Sequence, residues 1–211
     1  MAVSNDNKMT SHVRQYDRIV QAAVPLWPLL LIGLLVIAAG IAGDSGRMAL
    51  RYDRVAVDSG EWWRLLSSHF VHLGWPHVLL NLAGLTLVVL LFPREYRAGQ
   101  WLVLVVVCIM GISAGFVLLR PDLSWYVGLS GVLHGLFLAG AMRWISRREV
   151  EGYLLGAFLV IKLVWEQFHG ALPLSVSSAG GPVVVDSHLY GALAGSVVAL
   201  LFLRDWRSGG Q

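Results

Sequence analysis

Ser130, His188, His77 and Asn81 are the side chains of this sequence whose types and spacing could carry a reaction. Ser130 lies in Gly128-Leu-Ser-Gly131, His188 opens the run His-Leu-Tyr-Gly191-Ala-Leu-Ala-Gly195, and Asn81 follows His77 by four positions. A serine hydroxyl attacks a carbonyl when a neighbouring base takes its proton, and near neutral pH that base is usually histidine. The tetrahedral intermediate of acyl transfer then needs donors at its oxyanion, and His77, the Asn81 amide and the Ser130 backbone N–H are candidates. A Gly-x-Ser-Gly or a single histidine in an apolar helix more often serves packing. The weight falls on these residues meeting.

Helices in a bilayer must position them. Of 211 residues 56% are hydrophobic and 14% charged, with mean hydropathy +0.66, whereas a soluble domain carries about 25% charged residues. That composition excludes an ordinary soluble domain and disorder. Cys108, alone inside an apolar run, excludes a disulfide framework. A net charge of +3 and a pI near 9.3 come without a basic stripe, so no nucleic-acid partner is expected. Crossing about 30 Å of hydrocarbon takes roughly 20 mostly apolar residues. Six segments qualify: Val24–Gly43, Trp75–Phe92, Gln100–Leu119, Ser124–Met142, Gly152–Phe168 and Ser187–Leu203. The expected architecture is an all-α membrane protein: a polar cytoplasmic segment 1–23, a six-helix domain 24–203 with a long first loop 44–74, and a short cytoplasmic tail 204–211. Leu29–Ile37 followed by Ala38–Gly43 has features of a signal-peptide core, but the long polar stretch before it favours a span.

Orientation follows from Lys and Arg. With the N-terminus inside, ten basic residues (Lys8, Arg14, Arg18, Arg94, Arg97, Arg143, Arg147, Arg148, Arg204, Arg207) lie inside and five (Arg47, Arg51, Arg54, Arg64, Arg120) outside. Both termini are therefore expected in the cytoplasm. The second, fourth and sixth spans then run from outside to inside, which brings His77, Asn81, Ser130 and His188 to a similar depth in the outer leaflet. Ser130 and His134 are also four apart, and Gly191 and Gly195 form a small-xxx-small face on which the sixth helix can approach the fourth.

In this order the residues resemble the rhomboid family of intramembrane serine proteases. The matching motifs are Trp63-Arg64 in the first loop, His77-Val-Leu-Leu-Asn81 on the second helix, Gly128-Leu-Ser130-Gly131 on the fourth and His188-Leu-Tyr-Gly191-Ala-Leu-Ala-Gly195 on the sixth. The resemblance implies a six-helix rhomboid-like bundle and a Ser130–His188 dyad. It also implies an oxyanion hole of His77, Asn81 and the Ser130 amide, with no aspartate completing a triad and no cofactor. Asp186 falls in the N-cap region of the sixth helix. His134 stands where many relatives carry an aromatic residue that stacks on the catalytic histidine; support of His188 is its expected role, and direct proton transfer is the alternative. Within the family, Gly60–His69, Gly128–Gly135 and Val185–Gly191 are most similar to the rhombosortase branch. That likeness implies a bacterial cytoplasmic membrane, a site facing the periplasm, and exported transmembrane substrates with a glycine-rich C-terminal tail helix. It further implies removal of that tail, with water or a small amine as acyl acceptor.

Lys162 and Glu166, four apart in the fifth span, are read as an ion pair facing the bundle interior. The alternative is that Glu166 faces the site and helps hold an amine or a glycine-rich substrate. No metal is expected, because His69, His72 and His77 have no Cys or carboxylate set to complete a tetrahedral site. Two other functions fit the same residues: a general rhomboid protease of single-span proteins, and a non-catalytic binder of membrane clients.

Overall fold

The computed structural model describes residues 26–173 and 181–208. The segment 1–23, with Lys8, Arg14 and Arg18, lies outside the described residues, as do residues 209–211 and the side chains of Arg204 and Arg207. The fold is mostly helical. Helix α1 (Trp27–Ile41) opens with Pro28, whose missing N–H costs nothing in a first turn. It ends at Ala42, and the chain turns by 117° at Gly43, whose φ of +62° suits a residue without Cβ, into α2 (Gly43–Leu50).

The first loop is strapped to the bundle by backbone pairing and arginines. Strand β1 (Tyr52–Asp53) pairs antiparallel with β2 (Trp125–Tyr126), Tyr52 opposite Tyr126. Between β1 and the second long helix lie α3 (Arg54–Asp58), N-capped by the Asp53 carboxylate, and α4 (Arg64–Ser67). Arg54 donates to the carbonyls of Phe116 (2.9 Å) and Arg120 (2.8 Å). Arg64 donates to Glu61 (2.6 Å) and to the carbonyls of Met48 (3.0 Å) and Arg51 (2.9 Å). Trp63 beside it is exposed.

Five longer helices follow: α5 (Trp75–Leu91), α6 (Ala98–Leu119), α7 (Ser130–Ser146), α8 (Val150–His169) and α9 (Val185–Ser208). Trp101, Leu104, Ile109, Ile112 and Phe116 of α6 are buried in one cluster with Leu85 and Val88 of α5, Val132 and Leu136 of α7, and Val198 of α9. The outside is apolar as well: Leu34, Leu90, Leu118, Phe158 and Leu200 are exposed. An apolar exterior of this extent suits lipid rather than water.

Among the described residues, α6 and α9 are long and apolar enough to cross a bilayer, and α1 with α2 makes a third if the bent pair is one span. Six were expected. Helix α5 is apolar but has 17 residues, and α8 carries Glu151, Lys162 and Glu166, which lower its hydropathy. The fourth apolar run was expected to be helical from Ser124, but the helix starts at Ser130, because Trp125–Tyr126 pair as a strand and Gly128 takes φ +121°. The last helix continues to Ser208, into the segment expected as tail.

Candidate active site

Ser130 is the first residue of α7, where backbone N–H groups have no intrahelical acceptor and the helix dipole is positive. The turn before it is held from three sides. Tyr126 Oη donates to the Gly128 carbonyl (2.6 Å), the Gly128 N–H donates to the Ser68 carbonyl (3.0 Å), and a Cβ on Gly128 would lie 3.1 Å from the His77 ring. Helix α9 packs on α7 backbone to backbone. A Cβ on Gly191 would collide with the Gly131 carbonyl, and one on Gly195 with the Gly135 carbonyl. This close approach brings His188 to Ser130.

Ser130 Oγ lies 2.9 Å from His188 Nε2, and His188 Nδ1 lies 2.8 Å from Glu166 Oε2. Glu166 Oε1 accepts from Lys162 Nζ at 2.6 Å. Lys162 Nζ also reaches His134 Nε2 (3.0 Å), and His134 Nδ1 lies 2.7 Å from the Ser130 carbonyl. The His134 and His188 rings stack with centroids 4.1 Å apart and 17° between planes. A carboxylate and a carbonyl only accept, and an ammonium only donates. Both imidazoles are therefore assigned the Nδ1–H tautomer, and His188 presents a lone pair at Nε2 to the serine hydroxyl.

His77 and Asn81 share the inner face of α5. The Leu73 N–H donates to His77 Nδ1 (3.4 Å), which leaves the ring proton on Nε2, and Asn81 Nδ2 donates one hydrogen to the His77 carbonyl (3.0 Å). Both residues, with Ser130, His134, Lys162 and His188, line one cavity of about 250 Å³, whose wall also includes Tyr126, Ser187 and apolar groups such as Trp125, Leu133 and Phe158. The structure thus brings together Ser130, His188, His77, Asn81, Gly128, Gly131, His134, Lys162 and Glu166. It keeps Trp63 and Arg64 in the first loop, and Gly191 and Gly195 at the α7–α9 contact.

Two placements were not read from the sequence. The Lys162–Glu166 pair was expected, but the second oxygen of Glu166 on His188 was not. Asp186, in the first turn of α9, pairs with Arg120. The shared i,i+4 face of Lys162 and Glu166, at the depth of His188, was the available signal. His69, His72 and His77 do not converge as a ligand set: His69 Nε2 meets Ser113 Oγ at 3.4 Å, and His72 packs edge-on against His77. Among the described residues the one such group is His134, Glu166 and His188, with ligand atoms within 4.8 Å of one another. Lys162 Nζ donates to two of its three members, His134 Nε2 at 3.0 Å and Glu166 Oε1 at 2.6 Å.

Residues 59–205 match the family model described as Rhomboid domain. The chain belongs to the rhomboid family. It is 33% identical over 150 residues to "Rhomboid-like protein 11, chloroplastic" of Arabidopsis thaliana, covering 66% of this chain and 52% of that protein. It is 26% identical over 149 residues to "Putative rhomboid protease YdcA" of Bacillus subtilis, 70% of each, and 32% identical over 143 residues to "Rhomboid protease GlpG" of Klebsiella pneumoniae, 66% and 50%. The chain thus spans about half the length of two of these relatives and 70% of the third. Rhomboid proteases are intramembrane serine proteases, and the apolar exterior of this rhomboid is that of an integral membrane protein.

Proposed function

We propose that this rhomboid is an intramembrane serine endopeptidase in which Ser130 is the nucleophile and His188 the general base. The observation that carries the proposal is the 2.9 Å contact of Ser130 Oγ with His188 Nε2 at the wall of a cavity that also holds His77 and Asn81. Ser130 Oγ bonds to the scissile carbonyl carbon while its proton passes to His188 Nε2. The carbonyl oxygen takes the charge and is met by His77 Nε2–H, the Asn81 amide and the Ser130 N–H. The intermediate collapses, the amine leaves with the proton from His188, and the acyl group stays on Ser130. Water, or a small amine, gives a proton to His188 as it attacks the ester carbonyl, and His188 returns that proton to Ser130 Oγ as the ester C–O bond breaks.

Six helices, α1 and α5 to α9, traverse a bacterial cytoplasmic membrane with both termini inside and the cavity toward the periplasm. The substrate is a transmembrane helix entering from the lipid. Glycine lowers the cost of unwinding it to the extended backbone that attack requires, and the likeness of Gly60–His69, Gly128–Gly135 and Val185–Gly191 to rhombosortases supports exported proteins with a glycine-rich C-terminal tail as clients. A general rhomboid protease would use the same residues on other single-span proteins; two of the relatives carry the name rhomboid protease.

The test is mass spectrometry of the new C-terminus of a glycine-tailed reporter in membranes holding the wild type or Ser130→Ala. Cleavage by the wild type alone is expected, with the product mass reporting any attached amine. Cleavage by both proteins would end the assignment of Ser130. Cleavage only of reporters without the glycine tail would shift the function to the general protease. No cleavage, together with no labelling of Ser130 by a fluorophosphonate, would point to a client binder.

A further inference from the structure

We propose that Glu166 is a positioning residue of this site, the carboxylate of a Ser130–His188–Glu166 triad. This deepens the protease function and rests on it. Glu166 is 1% exposed, and its two oxygens serve different partners: Oε2 lies 2.8 Å from His188 Nδ1 and Oε1 lies 2.6 Å from Lys162 Nζ. Because a carboxylate only accepts, Glu166 holds the His188 proton on Nδ1 and turns the Nε2 lone pair toward Ser130. The other tautomer would set an N–H against the hydroxyl, and no base would remain.

Lys162 completes the arrangement. It donates to Glu166 and to His134 Nε2, which commits the His134 proton to Nδ1 and the Ser130 carbonyl. The ring stacked on His188 is thereby a neutral plate with no mobile proton to offer, and the Lys162 charge offsets the buried carboxylate before reaction. When the Ser130 proton reaches His188, the imidazolium forms between stacked His134 and Glu166, and Glu166 is the anion that meets it. His77, across the cavity, and Tyr126, whose hydroxyl donates to the Gly128 carbonyl, are the other titratable side chains lining it.

Glu166→Gln tests this. Its amide has one acceptor, which Lys162 claims, so an N–H faces His188 Nδ1 and forces the unproductive tautomer. For the full chain in proteoliposomes with a transmembrane reporter, kcat is expected to fall about 10²–10⁴-fold, as loss of a triad carboxylate does elsewhere, with KM within about threefold. Fluorophosphonate labelling of Ser130 should slow in parallel yet reach full stoichiometry, and Glu166→Asp should recover at least about tenfold of the loss. The double variant Lys162→Met, Glu166→Leu removes both charges and leaves neither unpaired, and it should be as slow as Glu166→Gln.

The triad is overturned if either variant cleaves and labels within about threefold of wild type, or if Glu166→Gln lowers the labelled fraction but not the rate constant. In those cases an inactive Ser130→Ala leaves the protease standing. Cleavage by Ser130→Ala would instead overturn the protease itself.

Discussion

At the scale of single residues, the proposed oxyanion donors are separable from the proposed nucleophile and its base. Asn81 is 2% exposed and spends one amide hydrogen on the His77 carbonyl at 3.0 Å, leaving the other for the cavity. Asn81→Ala removes that second donor, and the bond it gives up is internal to α5. Losing one preorganised donor typically costs about 10²–10³ in kcat, roughly 3–4 kcal/mol. Steady-state cleavage by Asn81→Ala is expected to show that drop in kcat with KM nearly unchanged. A rate within twofold of wild type would remove Asn81 from the oxyanion hole. Ser130, His134, His77 and Asn81 were legible in the sequence because i,i+4 pairs share a helix face whatever the tertiary fold. The Glu166–His188 contact was not. It joins two helices across 22 positions, and whether a carboxylate meets a lysine alone or a lysine and a histidine depends on how those helices are placed against each other.

At the scale of elements, the distance between Ser130 and His188 is set by the α7–α9 contact, and that contact is made by glycines. A Cβ at Gly191 or Gly195 would run into backbone carbonyls, which cannot rotate aside as a side chain can. Such overpacking costs about 1–3 kcal/mol. Gly191 faces Gly131, next to Ser130, while Gly195 faces Gly135, one turn further along α7. Both Gly191→Ala and Gly195→Ala are expected to lower the unfolding midpoint in detergent, and Gly191→Ala to slow fluorophosphonate labelling of Ser130 at least about tenfold more than Gly195→Ala, since a lost near-attack geometry alone can cost 10²-fold. Equal slowing by both would mean that the α7–α9 spacing does not set the geometry at Ser130. This contact could be expected from the small-residue spacing. The start of α7 could not, because Trp125-Tyr-Val127 is as apolar as the helix that follows. Its two-residue strand pairing with Tyr52–Asp53 has no periodicity of its own and exists only once the first loop folds over the bundle.

At the scale of the whole molecule, that loop couples the Ser130 end of the bundle to pH. It grips α6 through Arg54 on the carbonyls of Phe116 and Arg120, and through His69, whose Nε2 lies 3.4 Å from Ser113 Oγ. Burial holds the His69 imidazolium down to a pKa of about 3, and burial together with the neighbouring His77 ring holds His72 to about 3. In the unfolded chain both would titrate near 6.5. Above that pH neither state binds the proton and the loop keeps its full stability. Between about 6.5 and 3 the unfolded chain binds more protons than the folded one, so stability falls as pH falls, by up to roughly 1.4 kcal/mol per pH unit for each histidine. The Asp122 carboxylate, in the turn between α6 and β2, is held low, at about 2, by its hydrogen bond to Arg120, so it stays ionised down to pH 5 and adds nothing to the slope in that range. The unfolding midpoint in detergent is therefore expected to drop between pH 6.5 and 5, and the paired variant His69→Gln, His72→Gln to drop less steeply. An equal slope in the variant would place the acid sensitivity elsewhere and free the first loop of it. Because Gly128 donates its N–H to Ser68, immediately before His69, an acid-loosened loop would also release the turn that presents Ser130, and the labelling rate of Ser130 should decline over the same interval before the bundle itself unfolds.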